Sequence, residues 1–138
     1  MSDWNTNVIE EFRANEGRVG GAFEGAPLLL LHAFGRRTGT ERVNPLMYLA
    51  DGDHWVVFAS KGGHHAHPDW LLNLEAHPDM TIEVGTETIP VRARVLREGS
   101  DRDELFARQV VLYPQFGEYE IKAAGHRTIP VALLDRRG

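Results

Sequence analysis

The stretch VNPLMYLADGDHWVVFAS, residues 43–60, holds two runs of strand-forming residues separated by a tight turn. Residues 43–50 read as one strand and residues 54–60 as the next, both rich in β-branched and aromatic side chains. Asp51-Gly52 between them is a hairpin signal, because glycine takes the positive φ that such turns require. A tight turn implies antiparallel pairing, unlike the strand–helix–strand alternation of a Rossmann domain. Pro45 sits inside the first strand and has no N–H to give a neighbour. Its place predicts an edge, a bulge or a backbone that faces a ligand.

The same grammar extends outward. Upstream, LLLLHAF (28–34) is an apolar run of strand length, linked to the hairpin by GRRTGTER (35–42). Downstream, HPDWLLNLEAHP (67–78) places Pro68 in the first turn of a helix with Trp70, Leu71 and Leu74 on its apolar side, and Pro78 ends it. MTIEV (80–84) and ETIPVRARVL (87–96) alternate with period two about Gly85 and predict a second hairpin. Ser100 with Asp103 resembles a capping box opening a helix to about Leu112. Pro114 interrupts it, a shorter helix over about 115–124 ends at Gly125, and TIPVALLD (128–135) reads as the last strand. At the start of the chain, Val8, Ile9, Phe12 and Val19 have helical spacing, which predicts a helix over 4–18 with Gly20-Gly21 as its stop. No linker or repeat divides the chain, so residues 1–138 are expected to form one domain. The expected class is α+β, with about six antiparallel strands in a small barrel that leaves no exposed edge, and helices flanking it.

The composition is that of a globular protein: 42% apolar and 25% charged residues over 138 positions. A net charge of −5 speaks against a nucleic-acid binder, which needs a basic footprint. There is no cysteine, hence neither a disulfide framework nor a thiolate metal site. The apolar stretch 26–33 is broken by Pro27 and His32 and falls short of the ~20 residues of a membrane span. The N-terminus is polar and acidic, without a signal core. A cytoplasmic protein is expected, with peripheral membrane contact left open, as is the choice between monomer and homodimer.

Three groups of residues carry candidate chemistry. Arg36, Arg37 and Arg42 lie within seven residues on a glycine-punctuated turn, a suitable receptor for phosphate or carboxylate. Lys61-Gly62-Gly63 follows the adjacent strand, where two glycines permit close backbone approach to a ligand. A basic corner in an acidic protein points to an anionic small molecule. His64, His65 and His67 raise a metal reading, but they lack a metalloprotease spacing, and a polar loop leading into a helix accounts for them as well. Tyr113, Phe116 and Tyr119, spaced by three, form one aromatic ridge if helical. They then serve either the core or a wall over a flat substrate, which Tyr48 could face as well. No Ser-His-Asp order, paired carboxylates or Rossmann glycine turn is present.

The ordered set GRRTG-x-x-R, PL, ASKGG, HPDW-x-x-NL and HP resembles the core of the deazaflavin-dependent nitroreductase family of actinobacteria, and the likeness covers nearly the whole chain. The resemblance implies a split antiparallel β-barrel of the FMN-binding, pyridoxamine-phosphate-oxidase type. It also implies a reductase using coenzyme F-420, an 8-hydroxy-5-deazaflavin. By position, it implies that Arg36, Arg37, Thr38, Gly39 and Arg42 hold the phosphate and acidic tail, with Lys61, Gly62 and Gly63 also on the phosphate side. Asn44, Pro45, Leu46, Ala59 and Ser60 would line the deazaflavin, and His67, Pro68, Trp70 and Asn73 would frame it. Tyr48, Tyr113, Phe116 and Tyr119 match the substrate wall, where Ser60 or backbone N–H groups could bond the ring or a developing oxyanion. Phe116 stands where the nitroreductase pattern has a tyrosine, and His64 and His65 replace small or variable residues. The implied reaction passes a hydride to a small-molecule electron acceptor: a quinone, an enone or a nitroaromatic. An FMN reductase on the same barrel and a non-catalytic deazaflavin-binding protein are the alternatives.

Overall fold

The computed structural model describes residues 3–20 and 25–137, and side chains from residue 6 onward. Six strands form: β1 (Leu28–Phe34), β2 (Glu41–Asp51), β3 (His54–Phe58), β4 (Asp79–Val84), β5 (Glu87–Leu96) and β6 (Val131–Arg136). They close into a barrel in the order β1-β2-β3-β6-β5-β4, with β4 returning to β1, and every pairing is antiparallel. Both expected hairpins are present, with Gly52 and Gly85 at φ of 59° and 58°. The six-stranded antiparallel barrel with helices around it is the architecture expected above.

Side chains alternate across each strand, so the barrel needs cover on two faces. Leu29, Leu31, Ile82, Val91 and Leu134 fill the interior, and Trp70, Leu71 and Leu74 of α2 (Asp69–Ala76) pack against them. Outward-facing Leu28 and Leu30 are covered by Val8 and Phe12 of α1 (Asp3–Ala14). Val56, Phe58, Val131 and Leu133 lie under α3 (Ser100–Leu112) and α4 (Gln115–Ala123). Burial on both faces explains why β1 is a continuous apolar run instead of an alternating one. Arg102 of α3 is buried, with its guanidinium bonded to the Ile129 carbonyl at 2.9 Å and to Glu120 of α4 at 3.0 Å. Among the described residues no helix is long and apolar enough to cross a membrane.

β2 changes partner midway. Residues 41–47 pair with β1, and residues 48–51 pair with β3. The first half of β2 therefore has a free edge on its β3 side, and Pro45 lies on that half. The edge reading of Pro45 is the one the fold realises.

Several boundaries differ from the sequence expectation. The first helix stops at Ala14, not 18, because Glu16 and Gly17 take positive φ and the Gly17 N–H bonds back to the Phe12 carbonyl at 2.8 Å. Gly17 also abuts the second hairpin: a Cβ there would lie 2.8 Å from Gly85 Cα, a contact local spacing cannot reveal. Gly21, half of the expected stop, lies outside the described residues. The Ser100–Asp103 capping box does not form. Gly99 is the N-cap, and Asp103 instead accepts a bond from Arg102. β3 ends at Phe58, and β6 begins only at Val131, after Pro130 has used its carbonyl to hold the Ala59 N–H.

One polar cluster ties α1 to the barrel. Glu83 of β4 accepts bonds from Arg13 at 2.7 and 3.2 Å and lies 2.6 Å from His32 Nε2. The Arg13 bond foremost, then His32, holds the Glu83 carboxyl below the usual carboxylate range against the opposing effect of burial. A carboxyl lowered by folding stabilises the native state above its unfolded value of about 4.3, and that contribution disappears as pH falls through the lower folded value. Glu83→Gln should therefore cost about 1–3 kcal/mol at pH 7. The gap to the parent should narrow on acidification, as measured by urea unfolding at a series of pH values.

Candidate active site

The free edge of β2 forms one wall of a cleft of about 700 Å³. Asn44, Pro45 and Leu46 lie on that wall, and Arg42 stands at its start. Across the cleft are Ser60, Lys61 and Gly62, then Pro68, Trp70 and Asn73 of the α2 entry. Phe116 and Tyr119 of α4 complete the lining. Residues from four separate sequence stretches thus meet because β3 ends early and the chain turns off the sheet at Ser60.

A smaller recess adjoins the cleft. Gly35, Arg36, Arg37 and Thr38 line it, and Arg42, Asp69 and Asn73 belong to both spaces. The turn carrying these arginines is braced by Gly39, at φ of 74°, whose N–H bonds to the Gly35 carbonyl at 2.8 Å. Asn73 is buried, and its Oδ1 accepts from both the backbone N–H and Nη1 of Arg36, at 3.0 and 2.9 Å. Arg36 therefore fastens the turn to α2. Arg37 and Arg42 have no ion-pair partner among the described residues and remain available to a ligand.

The turn at Lys61 is unusual. Lys61, Gly62 and Gly63 all have positive φ, of 46°, 62° and 84°. Lysine in that region costs about 1 kcal/mol, so the conformation is held from outside. Gly63 faces away from the cleft lining, against α4, where an added Cβ would come within 2.9 Å of the Tyr119 carbonyl oxygen. The second clamp is Arg127. Its guanidinium donates to the carbonyls of Ala59 at 3.0 Å, Ser60 at 2.9 Å and His64 at 2.9 Å, and it lies 3.0 Å from His67 Nδ1.

The expected residues separate into those that meet at the cleft and those that do not. Ala59 is buried in the barrel core, and His67 lies between Arg127 and Arg97, 3.1 Å from the latter. Burial foremost, then the two guanidinium groups, lowers the proton affinity of His67. Tyr48 packs against the barrel interior, where burial raises its hydroxyl pKa, and it is not among the cleft residues. Tyr113 terminates α3, so the three aromatics are not one helical ridge. Phe116 and Tyr119 alone share α4, ring centroids 5.2 Å apart. His64 and His65 stack on each other at 4.3 Å, and among the described residues no cluster of three or more His, Cys, Asp or Glu could hold a metal.

Phe58, Val43, Met47 and Asp69 also line the cleft without having been singled out in the sequence. Phe58 was legible as the residue just before the turn, where its ring meets Phe116 at 5.7 Å. Arg127 carried no motif, because its partners are backbone carbonyls more than sixty positions away.

A family model described as F420H(2)-dependent quinone reductase matches residues 4–136. An F420H(2)-dependent quinone reductase of Mycobacterium tuberculosis strain H37Rv is 38% identical over 128 residues, covering 91% of this chain and 85% of the relative. The solved structure of an F420-H2 dependent reductase (FDR-A) is 34% identical, with a TM-score of 0.70 over 79% of this chain and 94% of that one. A structure from Listeria innocua named for pyridoxamine 5'-phosphate oxidase shares the fold alone, at 8% identity and a TM-score of 0.57 over 99% of this chain and 95% of that one.

The packing at the turn yields a contrast between neighbours. Gly63→Ala combines a positive φ with a collision against backbone and should cost about 2 kcal/mol or more. Gly62→Ala meets open space and should cost only about 1 kcal/mol. Urea unfolding of the two variants, side by side, measures the difference.

Proposed function

The chain belongs to the F420H(2)-dependent quinone reductase family, and on that premise we propose that its cleft binds reduced coenzyme F420 and presents it to a quinone-class acceptor. The observation that carries the assignment to this cleft is the meeting of β2's free edge with the Lys61 turn and two unpaired arginines. The surfaces fit the cofactor in kind. Pro45, Leu46 and Trp70 offer apolar area to a flat ring, and Arg37, Arg42 and Lys61 offer positive charge to its phosphate and acidic groups. Thr38 and Gly39 shape the turn that carries those arginines, while Gly63, Ala59 and His67 support the lining from behind.

When bound, the reduced deazaflavin supplies a hydride, and the acceptor needs one further proton to become a quinol. The protein's part is to hold the acceptor, exclude water and deliver or admit that proton. Phe116 gives the acceptor side an apolar ring. Tyr119, beside it, is the one tyrosine in the cleft lining among the described residues and can hydrogen-bond an acceptor oxygen or pass it a proton. The hydroxyl of Ser60 and the neighbouring backbone amides suit an oxygen gaining negative charge. Enones and nitroaromatics share the electron-poor character of a quinone and extend the proposed acceptor range. Tyr48 and Tyr113, packed in the two core layers, support this wall and do not touch the acceptor.

Fluorescence titration of the purified protein with coenzyme F420 and with FMN, followed by quinone-dependent oxidation assays, tests the reading. Tight binding of F420 with quinone turnover is expected. Preference for FMN, or binding without turnover, would replace it with one of the alternatives. Arg42→Ala and Lys61→Ala should each weaken F420 binding about tenfold and flatten its dependence on salt, since each removes a cation that salt screens. Tyr119→Phe should lower turnover about tenfold or more at saturating cofactor while leaving cofactor affinity unchanged. Steady-state and binding measurements on the same preparation separate the two effects.

A further inference from the structure

We infer that Arg127 is a positioning residue: it aims the backbone amides of Ser60 and Lys61 into the cleft, where with Gly62 they form a receptor for an anionic oxygen. This rests on the cleft being the binding site proposed above.

The argument begins with peptide geometry. Across a planar trans peptide, the N–H points opposite to the preceding C=O. Arg127 holds the Ala59 and Ser60 carbonyls at 3.0 and 2.9 Å. The N–H groups of Ser60 and Lys61 therefore point away from Arg127. Ser60, Lys61 and Gly62 line the cleft, whereas Arg127 does not. Two amides are thus fixed toward the cleft by a side chain behind the turn.

The backbone conformation agrees. Ser60 is right-handed, with φ −75° and ψ −38°, and Lys61 is left-handed, with φ 46°. Successive residues of opposite hand bring their N–H groups together into a concavity that takes an anion. Among the described residues the amides of Ser60, Lys61 and Gly62 have no hydrogen-bond acceptor, although Ser60 is itself buried. The following two amides are already used: Gly63 bonds to the Ser60 carbonyl at 2.8 Å and His64 to the Lys61 carbonyl at 3.1 Å. Both amides that Arg127 directs are unpaired, the Gly62 amide beside them is unpaired as well, and the Lys61 side chain adds a positive charge at the same place.

The clamp needs a fork. One guanidinium reaches three carbonyls at once and meets His67, and the His64 carbonyl closes the far end of the turn. An ammonium group has the charge but not the planar spread of donors. The oxygen received belongs either to the cofactor, as a phosphate or ring oxygen, or to the acceptor, as the oxygen that gains charge on reduction. Both have the same chemistry.

Two measurements test the inference. In the first, R127Q and R127K are compared with the parent for F420 affinity, and for kcat per active site at saturating cofactor. R127Q is expected to lose about tenfold or more in one of the two: in affinity if the oxygen is the cofactor's, in kcat if it is the acceptor's. R127K is expected to lose as much. Parent-like values in R127Q, or recovery in R127K, overturn the inference, because a merely structural residue lowers the melting temperature without moving either constant per folded site. In the second, which needs no variant, the amide resonances of Ser60, Lys61 and Gly62 in the parent protein are followed during separate titrations with inorganic phosphate and with F420. Movement of the three amides together with either ligand is expected, and movement with neither overturns the inference. If phosphate moves them and F420 does not bind at all, the receptor stands and the cofactor assignment falls.

Discussion

The molecule depends on one exchange of partners. At the step from Met47 to Tyr48, β2 leaves β1 and takes up β3. Had β3 run on to Ser60, its backbone would have covered the edge of β2, and no cleft would exist. It stops instead at Phe58, the Ala59 N–H is taken by the Pro130 carbonyl, and the next carbonyls are drawn to Arg127. Pro45 belongs naturally on the exposed half, where one hydrogen-bonding direction is already vacant. The opening in the barrel is thus a consequence of where hydrogen bonds run out, and the residues that line the cleft are those left beside the gap.

Charge is distributed in keeping with that opening. The protein as a whole is acidic, yet Arg37, Arg42 and Lys61 face the cleft and its recess without carboxylate partners among the described residues. Other arginines are occupied by the fold: Arg13 with Glu83, Arg92 with Asp79, Arg94 with Asp135, Arg97 with Glu75. Arg36 stands between the two groups, spending its donors on Asn73 to hold the turn that its neighbours use. The same residue type is therefore tied into the fold or left open to the cleft according to whether an acidic partner lies within reach.

Much of this was readable from local pattern. The hairpins at Gly52 and Gly85 announce themselves, since a positive φ in a short turn has few chemical solutions. So does the basic corner, because Arg36, Arg37 and Arg42 are close in sequence. What local pattern misses is whatever is decided by distant chain. The insertion of β6 between β3 and β5 leaves no mark in residues 128–135. The early end of α1 comes with a turn at Glu16 and Gly17 that packs against Gly85, and where a capping box was expected Asp103 meets Arg102. The aromatic spacing of three suggested a ridge, but Pro114 divides it, leaving Tyr113 in the core and Phe116 and Tyr119 at the cleft. Tyr48 lies on the strand that its neighbours indicate but packs against the barrel interior, a matter of one-residue alternation and register.

The floor and the roof of the cleft are anchored in different parts of the protein. The β2 edge and α2 are continuous with the barrel interior, while Phe116 and Tyr119 ride on α4, in the outer layer that Arg102 fastens to the rest. Residues pointing from α4 into the cleft can change size or polarity without disturbing the packing that fills the barrel. The architecture thereby separates two mechanical duties: one wall of the opening cannot be altered without unsettling the barrel's filling, while the other can be reshaped almost independently of it.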